Sequence, residues 1–343
     1  MTVAVSPLLR VEALSVRLPT RGGLVTIVDG VDYQVESGQV FGLAGESGSG
    51  KTVSVLALLG LLPAGAVLEG RAELHRQDLL AMSRRALREV RGRRVAMVFQ
   101  DPMTSLHPMM TIGRQLTEHV RYHLGLSSRE ARERAADLLG QVRIPDPRGA
   151  LTAYPHQFSG GMRQRIAIAI ALACEPQLLI ADEPTTALDV TVQAGILRLL
   201  DQLRRRSGLA VILITHDLGV LSAIADCVTV MYAGRVVESG PTAELMRRPR
   251  HPYTAGLLAA LPHPEAAEDT PLTAVPGSPP SPAARPLGCA FHPRCAYAVA
   301  TCRSEVPALV EIEDGRRLAC PVDPLLPLPP RGGGGPPGPV GGI

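Results

Sequence analysis

Short hydrophobic runs alternate with amphipathic segments through roughly the first 245 residues of the chain. Two segments have the spacing of hydrophobic residues that is typical of helices, residues 51–62 and 162–173. Four runs have the length and composition of buried strands: residues 40–44, 95–99, 178–181 and 211–215. Buried strands that alternate with helices predict an α/β domain with a largely parallel sheet.

Three further segments depart from this alternation. Residues 226–240 predict a hairpin that turns at Ala233-Gly234. Residues 100–158 are rich in Arg, Glu, His and Leu at helical spacing and predict an all-helical insertion. Of the 31 prolines, 18 lie after Leu261, and this shift in composition marks a boundary near Pro262. The last 23 residues hold 8 Pro and 7 Gly, so we predict a disordered tail over residues 321–343.

Composition and charge exclude several classes of protein. With 35 Lys and Arg against 32 Asp and Glu, the net charge of +3 is too small to favour nucleic-acid binding as the main activity. No apolar run reaches the ~20 residues of a membrane span, and the N-terminus lacks the pattern of a signal peptide. We therefore expect a cytoplasmic protein. The chain has 34 arginines and a single lysine, Lys51, which marks a place where arginine does not suffice.

A phosphate-loop pattern, G-x-x-x-x-G-K-S/T, lies between the first predicted strand and the first predicted helix. In such a loop, backbone N–H groups and the helix N-terminus face phosphate oxygens. Lys51 would bring its ammonium group to the β- and γ-phosphates, and Thr52 would give its hydroxyl to Mg²⁺. The alternative is a chance Gly/Ser-rich turn. The motif consists of Gly45, Glu46, Ser47, Gly48, Ser49, Gly50, Lys51 and Thr52.

Polar side chains end the other predicted strands. Asp182 and Glu183 follow one strand, and they suit a ligand of Mg²⁺ and a general base that polarises the attacking water. His216 ends another strand, where it can bond the γ-phosphate, and Gln100 ends a third, within reach of Mg²⁺ and water. Taken singly, the two carboxylates could instead be a solvated acidic strand end, and His216 could be a capping histidine. Beside a phosphate loop they predict hydrolysis of a nucleoside triphosphate.

The octapeptide upstream of the carboxylate pair resembles the signature motif of ATP-binding cassette (ABC) ATPases: Phe158-Ser159-Gly160-Gly161-Met162-Arg163-Gln164-Arg165. The motifs follow the order of that family, from phosphate loop to Gln100, signature, carboxylate pair, Asp189 and His216. The resemblance implies a P-loop NTPase (RecA-like) α/β fold with an antiparallel β subdomain and a helical subdomain at about residues 101–165. It also implies that two units pair head to tail, so that Ser159, Gly160 and Gly161 act at the nucleotide held by the partner, with Asp189 at the seam between the units.

A narrower resemblance extends over nearly the whole chain. The residues after Gln100, the signature region from His156, and the stretch from Ala181 to Gln193 are similar to those of oligopeptide/dipeptide importer ATPases. So is His251-Pro252-Tyr253-Thr254. The resemblance implies an ATPase domain over residues 1–245 and a C-terminal domain over residues 246–320. It implies a peripheral protein on the cytoplasmic face of the plasma membrane that works with two permease subunits and an extracytoplasmic solute-binding protein. Import of nickel or another small solute remains an alternative.

Two features of the chain stand apart from the hydrolytic residues. Family members present an aromatic residue near position 18 to stack on adenine, and this chain has Leu18. Four late cysteines are spaced C-x5-C-x6-C-x17-C and resemble the tail of the peptide-importer ATPases, which implies a 4Fe–4S cluster. Zinc, or four reduced structural cysteines, are the alternatives. The four are Cys289, Cys295, Cys302 and Cys320.

Overall fold

A computed structural model describes residues 6–101, 105–186, 188–261, 275–313 and 315–322 of the protein. The predicted boundary near Pro262 and the predicted tail beyond residue 322 lie outside the described residues. The strands are β1 Leu9–Thr20, β2 Gly23–Val35, β3 Val40–Ala44, β4 Val67–Leu74, β5 Gln77–Asp78, β6 Val95–Val98, β7 Leu178–Asp182, β8 Ala210–Thr215, β9 Cys227–Tyr232, β10 Arg235–Pro241, β11 Val310–Glu311 and β12 Arg317–Leu318. The α-helices are α1 Lys51–Leu58, α2 Arg84–Val90, α3 Ile112–Leu124, α4 Ser128–Gln141, α5 Pro147–Ala150, α6 Gly160–Leu172, α7 Val190–Ser207, α8 Leu218–Ser222, α9 Thr242–Arg247 and α10 Pro252–Ala259.

The main sheet has the order β11-β12-β10-β9-β3-β8-β7-β6. Strands β9, β3, β8, β7 and β6 run parallel, and the remaining pairs are antiparallel. The four strands predicted from hydrophobic runs are β3, β6, β7 and β8, each within one residue of its predicted bounds. The predicted hairpin is β9–β10. The prediction of an α/β domain with a largely parallel sheet is confirmed.

A second, antiparallel sheet of order β2-β1-β4-β5 covers the other side of α1. Its buried face shares a hydrophobic core with α1 and with one face of the main sheet. Strand β1 alternates buried and exposed residues only in part, because Ala13 has a φ of +47° and shifts the register between Val11 and Leu14. This sheet is the antiparallel β subdomain that the family resemblance implies.

Helices α3, α4 and α5 occupy the predicted helical insertion and share the core on the opposite face of the main sheet. Thr111 caps the N-terminus of α3, and Ser127 and Glu130 form a capping box on α4. The insertion leads through the 3₁₀ turn Pro155–Gln157 into α6, which returns the chain to β7. The helical prediction is therefore confirmed for the described part of this segment.

Helix α1 is shorter than the predicted span of residues 51–62. It ends at Leu58, because Gly60 adopts a left-handed φ of +57° and stops the helical backbone. The guanidinium of Arg91 donates hydrogen bonds to the carbonyls of Leu59 (2.6 Å) and Gly60 (3.0 Å), which satisfies groups left open by the end of the helix.

Among the helices that the structure describes, none is both long and apolar enough to cross a bilayer.

Candidate active site at the carboxyl ends of the parallel strands

The loop between β3 and α1 is shaped by glycines that no other residue can replace without strain. Gly45 has a φ of +144°, and a β-carbon there would lie 2.2 Å from the carbonyl oxygen of Met231. Gly50 has a φ of +99° at the N-terminus of α1 and gives the helix no side-chain cap. The first-turn N–H groups of α1 are therefore available to an anion, as the phosphate-loop motif predicts.

Lys51 is buried within this loop, with 5% of its surface exposed. Its ammonium donates to the carbonyl oxygens of Gly45 (2.6 Å) and Glu46 (2.9 Å) and to the hydroxyl of Ser49 (3.3 Å). Burial lowers the pKa of the Lys51 ammonium, and the charges of nearby carboxylates oppose that shift. Lys51 is thus a compact positive charge held on the inner side of the loop.

Thr52 and Asp182 meet directly beside the lysine. The Thr52 hydroxyl donates to the Asp182 carboxylate at 3.2 Å, and Asp182 is 4% exposed at the end of β7. Burial raises the pKa of Asp182, while the bond from Thr52 opposes the shift. A hydroxyl and a carboxylate are hard oxygen donors that suit Mg²⁺, so the residues present fit the predicted metal ligands.

Glu183 accepts hydrogen bonds from three side chains that come from different parts of the fold. The Gln100 amide donates to Oε2 (2.8 Å), the Thr186 hydroxyl donates to the same oxygen (2.9 Å), and His216 Nδ1 lies 3.2 Å from Oε1. Glu183 itself has a left-handed φ of +44°, and its amide donates to the carbonyl of Ile214 on β8 (2.9 Å). A non-glycine residue in that region is strained, and such strain is common at functional sites.

The protonation state of Glu183 follows from these partners. Burial raises its pKa, but the hydrogen bonds of His216 and Thr186 and the charge of Lys51 outweigh burial, so the pKa of Glu183 is lowered. The carboxylate is therefore ionised at neutral pH, which is the form that a general base requires.

The parallel sheet explains why these residues converge. Strands β6, β7, β8 and β3 are neighbours, and parallel strands present their carboxyl ends at one edge of a sheet. Gln100 follows β6, Glu183 follows β7 and His216 follows β8, while the phosphate loop follows β3. Sequence reasoning missed Thr186, although the turn after the carboxylate pair brings its hydroxyl onto Glu183. A hydroxyl residue three positions after the predicted base was the available signal.

The signature residues form a second group, built on two helix N-termini. The Ser159 hydroxyl caps α6 by accepting from the Met162 amide (3.3 Å), and the Asp189 carboxylate caps α7 by accepting from the Val192 amide (2.9 Å). A β-carbon on Gly161 would lie 2.6 Å from a Val192 methyl, so the two N-termini pack closely there. Gly160 opens α6, so its N–H is one of those that the helix leaves free for an anion.

Two loop contacts that the sequence did not predict come from the C-terminal part of the chain. The amide of Glu46 donates to the Tyr253 hydroxyl (2.8 Å), and the Glu46 carboxylate binds the Arg294 guanidinium through both oxygens (2.6 and 2.9 Å). Tyr253 and Arg294 lie in the His-Pro-Tyr and His-Pro-Arg segments. Those two tripeptides were the available signal, although nothing in them indicated which residues they touch.

The four late cysteines are free thiols, and none is in a disulfide. Burial raises the pKa of the Cys289, Cys295 and Cys320 thiols, the last to about 12, and neighbouring cysteines add to each shift. The Cys289 amide donates to the carbonyl of Cys302 (2.9 Å), which joins two of the cysteine-bearing turns. The donor set suits a cluster. In the described part of the chain, however, no three His, Cys, Asp or Glu side chains are arranged to hold a metal ion.

Leu18, where the family has an aromatic residue, pairs with Val25 near the tip of the β1–β2 hairpin. Its side chain packs against the core of the antiparallel sheet. At this position the chain therefore has no aromatic ring that could stack on adenine.

Comparisons with known proteins show which families the chain resembles. Residues 28–186 match the family model described as ABC transporter, and residues 237–302 match that of the oligopeptide/dipeptide transporter C-terminal region. The dipeptide transport ATP-binding protein DppD of Escherichia coli is 50% identical over 315 residues, which cover 91% of this chain and 96% of DppD. The oligopeptide transport ATP-binding protein OppD of the same organism is 47% identical over 321 residues, which cover 93% of this chain and 95% of OppD.

Solved structures share the fold. A dimeric ATP-binding cassette in a post-hydrolysis state with ADP and Pi superposes with a TM-score of 0.61 at 24% identity, over 68% of this chain and 98% of that one. The cbiO1 protein of Clostridium perfringens, part of an ABC transporter complex, superposes with a TM-score of 0.60 at 28% identity, over 71% of this chain and 92% of that one. The first of these likenesses concerns the fold alone.

Proposed function

This chain belongs to the ATP-binding subunits of the oligopeptide/dipeptide ABC transporter family, and from that premise we propose that Glu183 drives ATP hydrolysis for peptide import. The observation that carries the proposal is the ionised Glu183 carboxylate, held by three side chains beside the Lys51 loop. The chain is an ATP hydrolase that couples this reaction to transport. The residue roles below are part of the proposal, and the contacts already described support them.

Each residue of the site has a task that its chemistry permits. The loop amides and Lys51 bind the β- and γ-phosphates, because N–H groups and a buried ammonium complement their charge. Thr52, Asp182 and Gln100 hold Mg²⁺, which when bound neutralises charge on the transferring phosphoryl group. Glu183 takes a proton from the attacking water, whose oxygen bonds to the γ-phosphorus as the bond to ADP breaks, so that ADP and phosphate leave. His216 orients Glu183 through its Nδ1 and would contact the γ-phosphate.

We further propose that the nucleotide site is completed by a second ATPase subunit. The N-termini of α6 and α7 carry Ser159 and Asp189 side by side, and a helix N-terminus attracts an anion. In a head-to-tail pair, Ser159, Gly160 and Gly161 of one subunit would close on the triphosphate bound by the other. A cassette of the same fold with ADP and Pi is dimeric, which supports pairing of two such units but gives no orientation.

A mixing experiment tests both hydrolysis and the shared site. Lys51→Met removes the phosphate-binding charge, while Ser159→Asp places a carboxylate against the partner's γ-phosphate and remains a good N-cap. We expect each variant alone to lose ATPase activity and a 1:1 mixture to regain part of it, because a mixed dimer contains one intact site. Phosphate release in a single turnover measures the recovery.

The unmixed variants and a mixture of two Lys51→Met preparations are the controls. A mixture as inactive as its components would contradict the head-to-tail site between copies of this chain. Full activity of Lys51→Met alone would contradict the role of the phosphate loop.

We propose that the transported solute is a di- or oligopeptide, as the names of the relatives indicate for those proteins. The chain then docks from the cytoplasmic face onto two permease subunits, and an extracytoplasmic binding protein delivers the peptide. An apolar groove of about 260 Å³ beside the helical insertion, lined in part by Leu61, Phe99 and Leu106, is the docking surface that we assign to a permease. Nickel or another small solute is the second candidate.

We propose that the four C-terminal cysteines hold a 4Fe–4S cluster. Four thiols are the donors that such a cluster takes, and Cys289 and Cys295 both pack against the main core. Among the described residues, no three of these side chains are arranged to hold a metal ion, so the cysteine-bearing turns must close around the cluster as it binds. Because the pKa values of three of these thiols are raised, a metal must displace protons as it binds. The cluster would cross-link a proline-rich segment that has little core of its own.

Anaerobically purified protein is expected to be brown and to contain iron, with Cys295→Ser lowering the iron content to near zero. Cys174→Ser is the matched control, because Cys174 is buried away from the four late cysteines against α3. Iron content measured by elemental analysis checks the prediction. Unchanged iron content in Cys295→Ser would contradict the proposal that the four cysteines bind the iron. Zinc in place of iron would show a zinc site rather than a 4Fe–4S cluster.

A further inference from the structure

One arginine ties the cysteine-bearing segment directly to the phosphate loop. Arg294 lies in the 3₁₀ turn His292–Arg294, directly before Cys295, and 248 residues separate it from Glu46. Its two terminal nitrogens donate to the two carboxylate oxygens of Glu46 at 2.6 and 2.9 Å. Paired bonds of this kind between Arg and a carboxylate are short and directional.

The surroundings of Arg294 hold the guanidinium in one place. Its side chain is only 5% exposed, and it also donates to the carbonyls of Pro276 (2.7 Å) and Val275 (3.3 Å) and to the Tyr232 hydroxyl (3.3 Å). The Tyr232 and Phe291 rings lie 5.7 and 5.9 Å from its central carbon. The hydrogen bond to Glu46 raises the pKa of Arg294, so the charge is permanent.

Glu46 would oppose nucleotide binding if this charge were removed. Its backbone carbonyl accepts from the Lys51 ammonium at 2.9 Å, and its carboxylate contributes to the field that acts on Lys51. A carboxylate that close to the cradle repels the phosphates of ATP, and the low dielectric of a partly buried site strengthens the repulsion. The Arg294 guanidinium cancels this charge from the side of the loop.

A second contact fixes the same loop residue. The Glu46 amide donates to the Tyr253 hydroxyl at 2.8 Å, and the Tyr253 ring packs on Phe291 with ring centroids 5.3 Å apart. Phe291 is 3% exposed and lies in the same turn region as Arg294. The cysteine-bearing segment, residues 288–303, therefore supports the phosphate loop by charge and by packing at once.

We propose that Arg294 is a positioning residue that neutralises Glu46 and makes nucleotide affinity depend on the docking of residues 288–303. The proposal rests on the proposed function, because it concerns the affinity of the same phosphate loop. A change that displaces Cys289 or Cys295 moves the turn between them, and with it Arg294. The C-terminal segment is then a control element for the ATP site, and the coupling between the two must act in both directions.

A charge-rescue experiment separates this role from general stabilisation. Affinity for MgATP is measured by competition with a fluorescent ATP analogue, for the wild type, Arg294→Met, Glu46→Gln and the double variant. We expect Arg294→Met to weaken binding by about tenfold or more, as for loss of one partner of a buried charge pair. Glu46→Gln should restore most of that loss in the double variant, because the uncompensated carboxylate is then gone.

Arg316→Met is the matched control. Arg316 is a buried arginine of the C-terminal part that donates to the Glu238 carboxylate (2.5 Å) and to the carbonyl of Arg248 (2.8 Å), neither of which belongs to the phosphate loop. It is expected to lower stability and leave affinity for MgATP within about threefold of the wild type. Equal weakening by Arg316→Met, or no rescue in the double variant, would overturn the proposal. A wild type that does not bind MgATP would instead overturn the proposed function.

Hydrogen exchange on the wild type tests the reciprocal effect and does not depend on how well a variant folds. Several amides of the segment are hydrogen bonded, including those of Cys289, His292, Arg294 and Cys295. Saturating MgADP is expected to slow exchange in peptides covering residues 288–303 several-fold, since ligand binding and segment docking stabilise each other. Exchange that is unchanged by MgADP would contradict the coupling.

Discussion

Replacement of Glu183 by Gln is expected to lower kcat for ATP hydrolysis by about 10²- to 10⁴-fold, the usual contribution of a positioned general base. The amide keeps the size of the carboxylate and can still accept from Gln100 or Thr186. It cannot take a proton from water, however, so binding survives while the chemical step stops. In the proposed head-to-tail pair, hydrolysis releases the nucleotide that joins the two subunits, and the variant should therefore collect as an ATP-bound dimer.

Phosphate release and size-exclusion chromatography with MgATP together measure this outcome. Glu175→Gln is the matched control, because Glu175 is an exposed glutamate that pairs with Arg134 on the surface. It should retain wild-type turnover and the wild-type distribution of monomer and dimer. Normal turnover in Glu183→Gln would remove Glu183 from the base role.

Replacement of Lys51 by Arg is expected to weaken MgATP binding and turnover by about 10²-fold or more, on the scale of losing a preorganised charge at a phosphoryl-transfer site. The ammonium occupies a buried position with three acceptors at 2.6, 2.9 and 3.3 Å. A planar guanidinium is larger, and its donors form a rigid fork that does not match three acceptors arranged around a point. The variant keeps the positive charge but loses the compact shape of the ammonium group.

Equilibrium binding of MgATP and the steady-state ATPase rate measure the loss. Arg85→Lys, the reverse exchange at an exposed position of α2, is the control and should change neither quantity. Wild-type activity in Lys51→Arg would mean that the single lysine reflects composition alone. Among 34 arginines, the one lysine would then carry no information about function.

The convergence of the candidate site residues could be predicted from the sequence because they lie at the ends of short buried strands. The runs that became β3, β6, β7 and β8 are continuous and apolar, as strands covered on both faces must be. Once these strands are parallel and adjacent, Gln100, Glu183 and His216 must meet at one edge. Local patterns and a simple topological rule were therefore sufficient for this part of the molecule.

The antiparallel sheet could be expected only from the resemblance to a family. In β1 the bulge at Ala13 interrupts the alternation of buried and exposed residues, so the strand lacks the period-two pattern that identifies one. The end of α1 was also missed by four residues. There the sequence continues with apolar residues past Leu58, and only the left-handed turn at Gly60, capped by Arg91, ends the helix.

The link between Glu46 and Arg294 lay beyond sequence reasoning for a different reason. The two residues are 248 positions apart, and no periodicity connects them. Each has an ordinary interpretation on its own, as a variable position of a phosphate loop and as one of many arginines. Only the packing of Tyr232, Tyr253 and Phe291 brings the C-terminal turn onto the loop.

The claim that this chain powers peptide import is tested most directly by uptake of a labelled dipeptide into cells of the source organism that lack other peptide importers. The chromosomal copy encodes either the wild type or Glu183→Gln, and the protein is present at equal levels. We predict that the wild type accumulates the peptide and that Glu183→Gln abolishes accumulation while nickel uptake is unaffected. Peptide uptake that persists in Glu183→Gln cells, or loss of nickel uptake instead, would contradict the claim.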